Sequence, residues 1–364
     1  MAEFQVRKQQ FSDSRIVSPG GTDAQQALAD GEVLTRIERF AYTANNITYA
    51  ATGEMLGYWQ FFPPAGDEPQ HWGMTPVWGF AQVVASRCDQ IPVGERLFGY
   101  FPPADYLKMR PVNVGAQRLF DGSAHRAQLP PTYNSYSRVA QEPGYDPDMD
   151  ALRMLLWPLH VTAFCLYDKL RSNDWYGAQQ IILLSASSKT SIGLAIGLAG
   201  DEQAPALVAV TSARNQAFVD GLGLYQDSLS YEALAQLPGD TPTVIVDMSG
   251  NSAALETLQT QLGASLKYCI RVGLTHWDEA SSSLPADSAQ GEFFFAPGHI
   301  QQRIKDWGAD GFASKSAEYL LSTAAHSRAW LEIVHLDGLA ELQQNYADIC
   351  TGMLPPQRGL IVQM

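Results

Sequence analysis

The stretch "IILLSASSKTSIGLAIGLAG", residues 181–200, sets an apolar run, a hydroxyl-rich turn with one lysine and a glycine-spaced apolar run in succession. That order reads as strand, turn and helix, the unit with which nucleotide-binding folds hold phosphates. Ser187, Ser188 and Thr190 carry hydroxyls that can hydrogen-bond a phosphate, and Lys189 adds a positive charge. A helix start adds exposed N–H groups and the positive end of the helix dipole. The dinucleotide pattern G-x-G-x-x-G uses glycines so that the backbone can approach a pyrophosphate, and here only Gly193 stands at a matching place. Its setting in "IGLA" suits close packing of the helix. Capping of the helix by Ser and Thr side chains explains the same residues without a ligand. A P-loop, G-x-x-x-x-G-K-[ST], needs glycines at 183 and 188, where Leu183 and Ser188 stand, so a nucleoside triphosphatase has little support.

The next apolar run, "LVAVTSARN", ends on Thr211, Ser212, Arg214 and Asn215. In dinucleotide folds a carboxylate at this place binds the ribose hydroxyls of NAD. None stands between 211 and 215, and Arg214 is placed to pair with a 2′-phosphate, a pattern that favours NADP. Thr211 or Ser212 capping a following helix is the alternative. The chain has no Gly-x-Ser-x-Gly elbow and no outstanding carboxylate pair, which argues against hydrolases. His71 and His160 stand alone, as structural histidines do.

The elements that must position these residues fall into two groups. Residues 31–49 open with an alternation (Val33, Thr35, Ile37, Arg39) that predicts a half-buried strand, and Asn45-Asn46 supply a turn signal. "WGFAQVVASRCDQIPVGERLFGY", 78–100, predicts strand, turn and strand, and 101–150 reads as loops and short strands rich in Pro, Tyr and Asp. After Asp150 helices alternate with apolar strands, including "PTVIVDMSG" and "LKYCIRVGLT", which implies a doubly wound parallel sheet buried on both faces. With 364 residues, 46% hydrophobic and 17% charged, two globular domains are expected. A formal charge of −14 disfavours nucleic acid and anionic membranes as partners. Cys88, Cys165, Cys269 and Cys350 are too dispersed for a disulfide framework or structural zinc, and "MAEFQVRKQQFSDSR" has no apolar signal core, so the expectation is a metal-free protein of the reducing cytoplasm.

The order of these segments resembles the zinc-free quinone-oxidoreductase and enoyl-reductase branch of the medium-chain dehydrogenase/reductase superfamily. "GEVLTRIERFAYTANNITYA" looks like its opening strand and Asn-containing turn, and 78–100 like its G-x-V…G-D-R-V-x-G segment with Glu95 in place of Asp. "VTSARNQAFVDGLGLYQDSLSY" resembles the stretch after its second Rossmann strand, and "VDMSGN" the strand and glycine that border the nicotinamide. The closing "AWLEIVHLDGLAELQQNYADICTGMLPPQRGLIVQM" resembles its last helix and strand. The resemblance implies an α/β fold. A GroES-like, mostly β domain takes residues 1–150, with 312–364 returning to it. A Rossmann domain takes 151–311, and the active site lies in the cleft between the two. It further implies NADP(H), with Ser187, Ser188, Lys189, Thr190, Gly193, Thr211, Ser212, Arg214, Asn215 and Ser249 on the cofactor side. Asn46 and Tyr49 lie in the turn that faces the nicotinamide, where a tyrosine hydroxyl can donate to a developing enolate or alkoxide and an amide can orient it. Tyr58 and Trp59, in an unusually aromatic segment, are expected to wall a pocket for a flat, apolar substrate, or to be core. A homodimer follows by analogy. The altered phosphate turn leaves open a binding or scaffold protein that has lost the dinucleotide, or a lyase or hydrolase that reuses the fold.

Overall fold

The computed structural model describes residues 1–18, 28–272 and 291–364. The chain divides into two units, Met1–Leu155 with Glu332–Met364, and Leu156–Leu331. In the second unit six parallel strands lie in the order Asp227–Ser230, Ala206–Thr211, Gln180–Leu184, Thr243–Asp247, Leu266–Arg271, Gly291–Phe293. Pleating sends alternate residues to opposite faces. Ile181, Leu183, Val244 and Val246 enter one apolar cluster with Ala163 and Leu166 of the helix Asp150–Ser172 and Leu194 and Leu198 of Lys189–Ala199. Ile182, Leu184, Val208 and Val210 enter another with Leu255 and Leu258 of Ser252–Leu262. Both faces are thus covered, as the all-apolar strands require. The chain winds outward in both directions from Gln180–Leu184, the doubly wound Rossmann arrangement. Such sheets bind ligands at the carboxyl ends of the strands where the winding reverses.

The first unit is mostly β. The strand Val33–Tyr42 pairs antiparallel with Val77–Ser86 on one side and with Arg358–Gln363 on the other. Arg96–Phe101 extends the sheet beyond Val77–Ser86, and Glu332–Asp337 extends it beyond the C-terminal strand. Val33, Thr35 and Ile37 are fully buried, in keeping with the alternation, while Arg39 reaches Asp150 at 2.6 Å.

Three elements differ from the sequence reading. Asn45-Asn46 do not make a turn. They open the helix Ala44–Ala51, in which a capping box of Thr43 and Asn46 satisfies the first amides. The return to the β unit begins at Glu332 rather than 312, because one long helical segment, Ala296–Ser327, carries through that position with only an interruption at Gly308 (φ 77°, ψ 163°). Tyr319 on it donates to the Gly193 carbonyl at 2.8 Å, which ties its second half to the parallel unit. The short strand Asp227–Ser230 lacks a run of apolar residues and is not visible as a strand in the sequence. Gly273–Thr275, read as the end of a strand, lie outside the described residues.

Candidate functional site

The turn after Gln180–Leu184 begins at Ser185, held in the left-handed region at φ 60°, where a glycine would be at ease. Ser188 is the N-cap of Lys189–Ala199, its Oγ accepting from the Ser191 N–H at 3.2 Å and donating to Ser191 Oγ at 2.9 Å. Ser191 Oγ donates onward to Met248 Sδ at 3.1 Å. Ser188 therefore does the capping work that its residue type permits. Ser187 does something else. Its Oγ accepts from Thr211 Oγ1 at 3.1 Å and from Asn215 Nδ2 at 3.1 Å, joining the first turn to the end of the neighbouring strand. A hydroxyl has two acceptor sites and one donor, so this pairing leaves the Ser187 proton to be given away. Lys189 and Thr190, both half-buried, form the first turn of the helix. Burial lowers the Lys189 ammonium to about 8.

Gly193 binds nothing through a side chain. A Cβ there would lie 2.6 Å from His160 Cδ2 and 2.9 Å from Nε2, so the glycine lets the helix Lys189–Ala199 close on His160 of Asp150–Ser172. His160 is fully buried, shares a hydrogen bond with Thr323 Oγ1 through Nδ1 at 2.8 Å, and is lowered to about 4, chiefly by burial. It is a packing histidine. His71 is exposed.

At the second strand, Ser212 occupies the N-cap of Ala213–Gly221 but makes no side-chain capping bond. Its Oγ is buried with no hydrogen-bond partner among the described residues. Such orphaned groups are uncommon and costly, and an absent ligand is one reason for them. Arg214, exposed, and Asn215, half-buried, follow in the first turn of the same helix. Ser249, in the turn after Thr243–Asp247, is fully buried, and its side chain is committed: Oγ donates to Asp247 Oδ1 at 2.6 Å and accepts from the Asn251 N–H at 3.0 Å. These bonds shape the turn.

In the β unit, Asn46 is also spent internally. Its Oδ1 accepts from the Thr43 N–H at 2.7 Å and its Nδ2 donates to the Pro76 carbonyl at 2.7 Å. It orients the short helix that carries Tyr49, and both ends of its amide are used in doing so. Tyr49 is buried in an aromatic cluster with Tyr58, Phe61, Tyr100 and Tyr133. Trp78 Nε1–H donates to its oxygen at 3.4 Å, and burial raises its hydroxyl above the usual value. Its hydroxyl is therefore protonated at neutral pH. Tyr58 and Trp59 are both buried core, and Trp59 packs where the side chains of Gly53 and Gly73 would be. Among the described residues no group of His, Cys, Asp and Glu could hold a metal ion, and no helix is long and apolar enough to cross a membrane.

A family model described as "Protein of unknown function (DUF2855)" matches residues 40–355. The chain belongs to this family. No curated protein matches it. Among solved structures it is similar to CurA from Vibrio vulnificus in complex with NADPH (TM-score 0.62, 13% identity, covering 96% of this chain and 94% of that one). It is also similar to mycobacterial Rv1454c complexed with NADPH (0.60, 12%, 100% of both chains). The yhdH oxidoreductase from Salmonella enterica in complex with NADP matches at 0.55 and 14%, again over 100% of both chains. At 12–14% identity these likenesses show the fold alone: this chain has a Rossmann unit and a mostly β unit, as those proteins do.

Two tertiary contacts at this turn escape sequence reasoning. Tyr225 and Tyr231 reach the turn at 185–188 from the far side of the second crossover: Tyr231 Oη accepts the Ser185 N–H at 3.0 Å and Tyr225 Oη donates to the Ala186 carbonyl at 3.2 Å. The only signal in the sequence is the paired tyrosines of "GLYQDSLSY".

Proposed function

We propose that this protein is an NADP(H)-dependent, metal-free oxidoreductase that reduces a carbonyl or a conjugated C=C of a small apolar substrate. The observation that carries the reading is the buried Ser212 hydroxyl, without a partner among the described residues, at a helix start two residues before Arg214, at a strand end with no carboxylate at 211–215. A phosphate ester fits that donor set: a hydroxyl, a guanidinium and helix amides, with no carboxylate at 211–215. The Ser187 proton, left over by Thr211 and Asn215, and the half-buried Lys189 suit the cofactor's diphosphate. When bound, the cofactor supplies the hydride. Tyr49 supplies the proton: Trp78 occupies an acceptor site on its oxygen and burial keeps it protonated, so its O–H is turned to donation. Asn46 holds the helix that carries it. The NADPH and NADP bound to CurA, Rv1454c and yhdH support the cofactor, and we carry a homodimer in the cytoplasm with the same reading.

Titration with NADPH and NADH, followed by fluorescence and melting temperature, is the test, because a ligand that binds only the folded chain raises its stability. Binding of NADPH over NADH is expected, and Arg214→Ala removes the preference by weakening NADPH about ten- to a hundredfold while leaving NADH unchanged. No response to either at millimolar concentration overturns the oxidoreductase and favours a fold retained for binding alone.

A further inference from the structure

The phosphate turn meets the geometry of a glycine-rich loop without the glycines, and two tyrosine hydroxyls account for it. We infer that Tyr231 and Tyr225 clamp residues 185–186 into the shape that receives the cofactor's diphosphate, an inference that rests on the NADP(H) reading above. Ser185 stands at φ 60°, a conformation that side chains resist and that glycine adopts freely. Its N–H is held by Tyr231 Oη at 3.0 Å. The Ala186 carbonyl accepts from Tyr225 Oη at 3.2 Å while its N–H donates to the Val210 carbonyl at 3.0 Å. The backbone of both residues is thus fixed from outside the turn. The rings are anchored too: Tyr231 packs on the cluster of Ile182, Leu184 and Val208, and Tyr225 on that of Ala186, Ala209 and Val219.

The clamp has a chemical consequence. The Ser185 amide faces Tyr231 and is no phosphate donor, unlike the first amides of a glycine loop. Donation to the diphosphate passes to Ser187 and the start of Lys189–Ala199. Tyr225 and Tyr231 are therefore positioning residues that act through the turn, and their effect must vanish where the turn needs no help. A glycine at 185 supplies that condition.

Four variants test this: Tyr231→Phe, Tyr231→Phe with Tyr225→Phe, and each of these with Ser185→Gly added. Tyr→Phe keeps the ring and its packing. In the ligand-free chain, hydrogen exchange at the Ser185 amide speeds up about tenfold in Tyr231→Phe, and unchanged exchange overturns the clamp whether or not any cofactor binds. By fluorescence titration, NADPH dissociation rises about five- to tenfold for the single variant, the size of one lost hydrogen bond, and further for the double. Ser185→Gly restores most of the loss. Tyrosine variants that bind like wild type overturn the inference, and so does a loss that Ser185→Gly fails to rescue, which would mean that the rings serve the fold or touch the cofactor. A wild type with a protected Ser185 amide and no NADPH binding removes the NADP(H) reading and the clamp's role in it, while leaving its geometry intact.

Discussion

Replacing Ser212 by alanine should move stability and affinity in opposite directions. In the ligand-free chain the Ser212 Oγ is buried without a partner among the described residues, and it makes no capping bond to its helix. A buried polar group left unpaired costs about 1–3 kcal/mol, so its removal relieves strain where most Ser-to-Ala changes at N-caps cost about 0.5–2 kcal/mol. The small void left by one oxygen takes back part of the gain, and a net stabilisation of about 1 kcal/mol is expected. For a unit of this size that is about 2–4 °C in melting temperature. With NADPH the sign reverses. A hydrogen bond to a charged phosphate is worth about 1.5–3 kcal/mol, so Ser212→Ala weakens NADPH binding about ten- to a hundredfold and loses the matching part of the ligand-induced thermal shift. Differential scanning fluorimetry with and without saturating NADPH, paired with calorimetric titration, reads both effects. Ser212→Ala melting below wild type in the absence of ligand, with NADPH affinity unchanged, would refute the reasoning: the hydroxyl would then be a structural group whose partner is internal.

Gly193→Ala pushes a methyl to within 2.6 Å of the buried His160 ring, an overpacking of about 1–3 kcal/mol against about 1 kcal/mol of helix propensity regained. Denaturant melts should show a loss of up to about 2 kcal/mol that His160→Ala partly relieves, and additive single and double variants would show that the two do not touch. His160 itself carries an acid sensitivity. Its folded value is lowered to about 4 from the ordinary 6.5, so the unfolded chain takes up the proton first, and stability falls as pH drops from 6.5 through 4. The loss is on the order of 2–3 kcal/mol by pH 4, and it should be absent from His160→Gln in matched denaturation curves. Tyr49→Phe should lower turnover about 10²–10⁴-fold with NADPH affinity unchanged. Because burial raises the Tyr49 hydroxyl, wild-type turnover should hold through pH 10 rather than fall there, and a decline centred on the usual tyrosine value would count against Tyr49 as the donor.

Much of the scaffold is legible in the sequence for a simple reason: pleat and burial are written in residue type. The runs at 181–184, 206–211 and 243–247 are almost wholly apolar, and a strand with both faces apolar must lie inside a covered sheet. The strand-turn-helix order and the lack of a carboxylate at 211–215 likewise belong to the chain alone, and they suffice to point at a phosphate site and at NADP. The short strand Asp227–Ser230 escaped because its burial is partial and its pairing with Ala206–Thr211 supplies what composition does not. Asn45-Asn46 misled because the same side chain that signals a turn also caps a helix, and only the Thr43–Asn46 reciprocity decides between them.

The tertiary structure decided which polar groups are already spent. Ser187, Ser188, Ser212 and Ser249 are one residue type and indistinguishable as text. Folded, Ser188 caps its helix, Ser249 closes a turn on Asp247, Ser187 is a junction with a proton to give, and Ser212 is left without a partner among the described residues. The partners that fix Ser185 and Ala186 stand 46 and 39 residues away along the chain. A hydrogen bond depends on atoms meeting within about 3 Å, and only the folded chain sets such meetings over that separation. The sequence by itself determined the strand-turn-helix order and the hydroxyls of this region; which of those hydroxyls are already spent was decided by the packing of the folded chain around the first turn.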